Sequence, residues 1–340
     1  MGLFTWDAKR PLDIVLLGRI AIDFNPVDYF HTLAESTTFR KYLGGSPANI
    51  AVGMARLGHK VGFIGKISDD RFGDYVQNFF ENEGIDVSHV TRDQSGASLG
   101  LTFTEILSRD TSSILMYREG AADLKLCPAD VDEDYIASAK MLLLSGTALA
   151  QSPSREATLK AKVLAHKTGT PIVFDADYRA YTWVNDEEAA LYMHLCAQGA
   201  DILMGSRGEF DRMEALAGLD GTDEASARYW LGRGARMLII KHGKRGSAAY
   251  TPKGVYQVKP FPVEALKSFG GGDGYGSAFL HGLLTGLSVK QALELGTASA
   301  SMLVASHACS QDMPDRAQLD AFIKEKKAQY GEHVTGPDNE

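Results

Sequence analysis

An α/β fold with a mostly parallel central sheet and helices on both faces is predicted by two patterns in this sequence. Short, continuous apolar runs recur at 12–18, 60–67, 140–145, 171–175, 201–205 and 236–241. Amphipathic stretches, among them 47–57, 71–83, 154–167 and 225–234, lie between the runs. A strand that is apolar at every position has both faces covered, and helices between such strands supply right-handed crossovers. Composition agrees: 340 residues, 44% hydrophobic and 23% charged, are enough for a full core.

Taken in chain order, the run 12–18 opens the sheet. The stretch 24–43 that follows reads as irregular, with extended pieces. The helix at 47–57 has its start written in Gly44-Gly45-Ser46-Pro47, because serine caps and proline suits a first helical turn. At 98–117 two extended runs, 99–107 and 112–117, flank Ser108-Arg109-Asp110-Thr111, the pattern of a hairpin. Segments 24–43 and 98–118 are therefore expected as insertions at the strand ends that pair into a small β lid, the alternative being a decorative hairpin. Helices at 276–284, 288–305 and 314–326 close the chain. No linker or repeat divides residues 1–330, so a single domain is expected, with a polar, frayed tail at 331–340.

A formal net charge of −8 and a pI near 5.6 argue against a general nucleic-acid or anionic-membrane binder. Cys127, Cys196 and Cys309 lack CxxC spacing and read as reduced thiols, and the nine histidines form no HExxH pair. The first ten residues lack the apolar run of a signal peptide, so a cytoplasmic location is expected.

Chemistry concentrates in a few motifs. Gly270-Gly271-Gly272-Asp273 runs straight into a helix. Glycines let a ligand approach the backbone, and a helix start adds unpaired N–H groups and a positive dipole end, which makes a socket for phosphate. A carboxylate there repels a resting phosphate but suits a base acting on a hydroxyl beside the socket. The alternative is a glycine-rich turn capped by aspartate; no Gly-Lys-Ser/Thr follows, which excludes a Walker loop. Gly44-Gly45-Ser46-Pro47-Ala48-Asn49 is a second glycine site, where Asn49 offers both donor and acceptor to a polyhydroxylated ligand. Asp23 falls at a strand end, where it can accept from sugar hydroxyls or cap a turn. Phe174–Trp183 packs two acids, an arginine and three aromatic residues around one strand end. Gly205-Ser206-Arg207-Gly208-Glu209 and the basic turn Lys241-His242-Gly243-Lys244-Arg245-Gly246 follow the next two strands.

These motifs, in this order and over essentially the whole length, resemble the ribokinase-like (pfkB) carbohydrate kinases, and among them the kinases of sugar acids. The resemblance implies a three-layer fold with a β lid, ATP as co-substrate and Mg²⁺. It implies Asp273 as catalytic base, Gly270, Gly271 and Gly272 as anion hole, and Asp23, Gly44, Gly45 and Asn49 as sugar-binding positions. Ser206 and Glu209 align with the family's Asn-x-x-Glu motif near Mg²⁺ and the phosphates, Glu209 acting on the metal through water; serine replaces the asparagine. Lys241, Gly243 and Gly246 match the nucleotide-binding turn. Lys267-Ser268-Phe269 stands where many relatives have Asp-Thr-Thr and a monovalent-cation site, so weak dependence on such cations is expected.

A sugar acid adds one carboxylate, and its pocket needs a compensating cation. Arg179 is the first candidate and Arg118 the second, since guanidinium matches planar carboxylates. Either arginine has a local alternative: Asp175 or Asp177 for Arg179, Glu119 or Asp123 for Arg118. The implied partners are thus a sugar acid and ATP, with no nucleic acid, no membrane, and a homodimer through the lid. A non-catalytic sugar-binding regulator is the rival from another class, and Asp273 argues against it, because binding alone needs no base.

Overall fold

The computed structural model describes residues 3–337. Its strands in chain order are β1 (Ile14–Leu17), β2 (Ala21–Pro26), β3 (Phe39–Gly44), β4 (Val61–Ile67), β5 (Asp86–Arg92), β6 (Gly100–Ile106), β7 (Ser112–Tyr117), β8 (Leu142–Ser145), β9 (Ile172–Asp175), β10 (Ile202–Ser206), β11 (Met237–Lys241), β12 (Ser247–Thr251), β13 (Gly254–Val258) and β14 (Val334–Thr335). Ten form one sheet in the order β14-β13-β12-β11-β10-β9-β8-β1-β4-β5, parallel from β11 to β5 and antiparallel beyond β11. Four form a second sheet, β3-β2-β6-β7.

The unbroken apolar runs have a direct cause. In β1, Ile14 and Leu16 belong to one core cluster, while Val15 and Leu17 belong to another on the opposite face. In β11, Met237 and Ile239 divide from Leu238 and Ile240 in the same way. With period-2 alternation and helices on both sides, every position must be apolar.

Three elements depart from the sequence reading. Strand β5 was not expected: it is an edge strand, only partly buried, and its residues carry no apolar run. The hairpin β12–β13 also went unread beyond the basic turn that leads into it from β11. The tail expected to fray from 331 instead pairs Val334 with Val258 and Thr335 with Gln257, since β13 leaves an open edge for a short extended segment. Residues 338–340 lie outside the described part.

The small sheet forms from the two expected insertions. Strand β2 pairs antiparallel with β3 and parallel with β6, and β6 and β7 form the hairpin. Phe24 stacks on Phe103, which meets Phe39 and Tyr117 edge-on. At the hairpin tip Lys244 pairs with Asp110 and Arg109 with Glu264, and Ser268 N donates to Ser112 Oγ at 3.2 Å. The tip thus reaches the basic turn after β11 and the segment that precedes the triple glycine.

Candidate active site

Asp273 lies in the first turn of the helix Gly271–Leu284, which Gly270 opens with φ +84°. That left-handed backbone suits glycine, and a Cβ here would meet Cys309 Sγ at 2.4 Å. The N–H groups of this first turn have no acceptor inside the helix, which makes them a candidate anion hole. From the helix Ser46–Arg56, Ser46 Oγ donates to Asp273 Oδ1 and Asn49 Nδ2 to Oδ2, each at 2.7 Å. That helix begins after Gly45, φ +98°, where a Cβ would meet Arg19 O at 2.4 Å. Burial and the charge of Asp177 push the Asp273 carboxyl up to about 6, against the hydrogen bonds from Asn49 and Ser46. A base of this strength ionises near neutrality and still accepts a proton from a hydroxyl whose charge is being transferred away.

Across the cleft are the ends of β9, β10 and β11. Lys241 Nζ is 3.9 Å from Asp175 Oδ1, and 3.6 Å from where a Cβ on Gly272 would sit, so its ammonium borders the anion hole. Burial alone would lower its pKa; Asp175, Glu209, Asp273 and Asp177 outweigh that and keep the lysine charged. Burial pushes the Asp175 carboxyl up to about 7, with Lys241 opposing. Glu209 is fixed by two backbone donors, Tyr178 N to Oε1 at 3.0 Å and Ser206 N to Oε2 at 2.6 Å. Burial would raise its pKa, but Lys241, the Ser206 N–H and Arg179 hold it below the usual range. The Ser206 hydroxyl is used as the cap of the helix Arg207–Glu214. Among the described residues no group of three or more His, Cys, Asp or Glu side chains is arranged to hold a metal ion.

On the sugar side, Asp23 in β2 stands opposite Tyr42 and beside Thr102, and Gly44 leaves room for its carboxylate. Burial raises the pKa of Asp23, with Arg19 opposing. Asp177 adopts φ +28°, a strained backbone for a non-glycine, and pairs with Arg179 at 2.6 Å. Arg118 donates through Nε and NH2 to Asp123 at 3.0 and 2.5 Å, and through NH2 to Thr147 O. A cavity of about 820 Å³ opens between the lid and the 181–184 segment; its lining includes Leu101, Arg118, Tyr181 and Trp183 but not Asp273.

The structure brings together Asp273, Gly270–Gly272, Asn49 and Lys241 around one point, with Asp23, Gly44 and Gly45 beside them. Both arginines singled out from the sequence already hold the local acids that were their alternatives, Asp177 and Asp123. Gly243 and Gly246 bound the turn after β11, both with positive φ. Sequence reasoning passed over Arg19 and the burial of Lys267, and named Asp177 only as a local partner for Arg179. Arg19 was the most visible of these, a charge inside the otherwise apolar stretch Leu16–Ile22. Lys267 is fully buried, and its Nζ donates to Ala308 O at 2.5 Å.

Unpartnered buried polar atoms gather on this side. Six of those among the described residues belong to Arg19, Asn49, Arg118, Asp123, Asp177 and Trp183. Such atoms are costly in a finished interior, so their concentration marks a place completed by a polar ligand.

Residues 12–316 match the pfkB family carbohydrate kinases. The chain belongs to this family. At the level of single proteins, it is 59% identical to a 5-dehydro-2-deoxygluconokinase of Clostridium perfringens over 98% of this chain and 99% of that one. It is 49% identical to the protein of the same name from Geobacillus kaustophilus, over 96% and 98%. Among solved structures, a ribokinase-like protein of E. coli in complex with ATP and Mg²⁺ superposes with a TM-score of 0.84 at 22% identity, covering 92% of this chain and 99% of that one, which shows the same fold.

Proposed function

We propose that this chain transfers the γ-phosphoryl group of ATP to the terminal hydroxyl of 5-dehydro-2-deoxygluconate, giving the 6-phospho ester and ADP, a step of inositol catabolism. The observation that carries the chemistry is the Asp273 carboxylate, held by Ser46 and Asn49 at the open end of a helix. The substrate class is supported by the near full-length likeness to the two named kinases.

Asp273 takes the proton of the hydroxyl, whose oxygen attacks phosphorus in line. Charge gathering on the transferred group is met by the N–H groups of Gly271, Gly272 and Asp273 and by the Lys241 ammonium. Asn49 Oδ1 and Asp177 Oδ2, buried acceptors without donors, suit sugar hydroxyls together with Asp23, Gly44 and Gly45. Arg118 and Arg179 flank the same pocket. Ser206, Gly243 and Gly246 shape the loops against which the nucleotide rests. Mg²⁺, when bound, would neutralise phosphate charge, and Glu209 is the residue that would hold it, through water. The lid's outer face is the surface for a second copy of the chain.

Measuring ADP release against a panel of sugars checks the reading. The largest kcat/KM is expected for 5-dehydro-2-deoxygluconate. A larger value for 2-keto-3-deoxygluconate moves the assignment to that neighbouring acid, and one for fructose removes the sugar-acid class.

A further inference from the structure

Three arginines, Arg179, Arg19 and Arg118, act electrostatically on the Tyr181 hydroxyl. Their surroundings differ. Arg179 is ion-paired with Asp177, and Arg118 donates through Nε and NH2 to one oxygen of Asp123. Arg19 is 5% exposed, forms no ion pair among the described residues, and has one partner, the Thr102 hydroxyl at 2.8 Å from NH2. Its Nε is buried without an acceptor, and so is NH1 of Arg118. A guanidinium does not shed its proton to escape burial, and a buried charge needs a counter-charge. Burial, and then the neighbouring Arg118 charge, lower the pKa of Arg19, with Asp23, Asp123 and Asp177 only partly compensating. The fold therefore holds two like charges near each other, one of them with no carboxylate of its own, beside the sugar-binding Asp23.

We propose that Arg19, completed by NH1 of Arg118, binds the carboxylate of the sugar acid and is the residue that makes this kinase prefer acids to neutral sugars. The ligand supplies the missing anion and relieves the repulsion between the two guanidinium groups. Arg179, already neutralised by Asp177, then serves at the rim. This inference rests on the sugar-acid reading above.

The test compares the sugar acid with its primary amide, which keeps shape and hydroxyls but loses the charge. In Arg19→Met, KM for the acid is expected to rise roughly 10- to 100-fold, the scale of a lost charge-assisted hydrogen bond, with the KM values for the amide and for ATP little changed. Arg19→Lys is expected to restore part of the acid preference. Melting of the protein without nucleotide separates recognition from support. The acid should raise the melting temperature of the unmodified protein but not of Arg19→Met, and the ligand-free variant should melt no lower than the unmodified protein. A folded Arg19→Met that keeps the full acid preference overturns the inference. So does a variant that melts far lower or cannot be purified folded, because Arg19 is then a strut. If the unmodified enzyme uses the amide as readily as the acid, the sugar-acid reading falls first, which is a different outcome from the loss of Arg19 alone.

Discussion

In the proposed reaction Asp273 carries the chemistry because three environments meet on one carboxylate. Burial and Asp177 raise its pKa to about 6, two hydrogen bonds aim it, and the helix start beside it would face the phosphoryl group. Asp273→Asn keeps the shape and loses the basicity, and turnover is expected to fall about 10²–10⁴-fold with nucleotide affinity nearly unchanged. The base acts only when ionised. The kcat/KM of the unmodified enzyme is therefore expected to fall as pH drops below about 6 and to level off above it, a limb that the asparagine variant should lack. Near-normal turnover of the folded variant excludes this role. Lys267 illustrates another residue-scale effect. Its buried ammonium, bonded to Ala308 O, fixes a positive charge close to Gly270. Exchanging KCl for a bulky organic cation at equal ionic strength is expected to change the rate by less than about twofold, because a cation nearby would be repelled. Strong potassium activation would overturn that expectation.

At the scale of elements, the site is the crossing of two helices. Ser46–Arg56 brings Ser46 and Asn49, and Gly271–Leu284 brings Asp273, so the spacing of the helices sets the hydrogen-bond distances. They pack tightly at Gly53, where a Cβ would meet Ser277 Oγ at 2.5 Å. Gly53→Val is expected to destabilise the protein by about 1–3 kcal/mol through overpacking, and to lower kcat as Ser46 and Asn49 draw away from Asp273. Denaturant melts and the coupled assay read the two effects; a valine variant with unchanged kcat would show that helix spacing does not set the base. Both helices were readable in the sequence, from the Ser46-Pro47 start and the triple glycine, because capping is local chemistry. The crossing was not, since nothing along the chain says that Gly53 faces Ser277.

Over the whole molecule, the small sheet bridges the two sides of the cleft. Asp23 and Thr102 lie in its strands, while the hairpin tip pairs Asp110 with Lys244 in the turn after β11. Lid closure over the cleft would exclude water from the reacting groups. Leu115 and Tyr117, 45% and 62% exposed on β7, form an apolar outer face. Sedimentation at assay concentration is expected to show a dimer, and Leu115→Asp to dissociate it while leaving each protomer folded. A monomeric unmodified protein removes that partner.

By itself the sequence determined the parallel core sheet and the two glycine-rich helix starts, because each rests on neighbours within about ten residues: apolar runs, caps and turns. Edge strands such as β5 and β14 escaped, since a half-exposed strand needs no apolar run and is fixed by the partner edge it meets. The tertiary structure alone decided which charges are already paired. Asp177 and Asp123 lie within five residues of Arg179 and Arg118, yet whether they neutralise those arginines depends on backbone geometry that the sequence does not spell out. Arg19 shows the converse: only folding reveals a buried guanidinium held by the Thr102 hydroxyl, near Arg118 and without an ion pair of its own among the described residues, because burial and charge pairing are properties of packing in three dimensions.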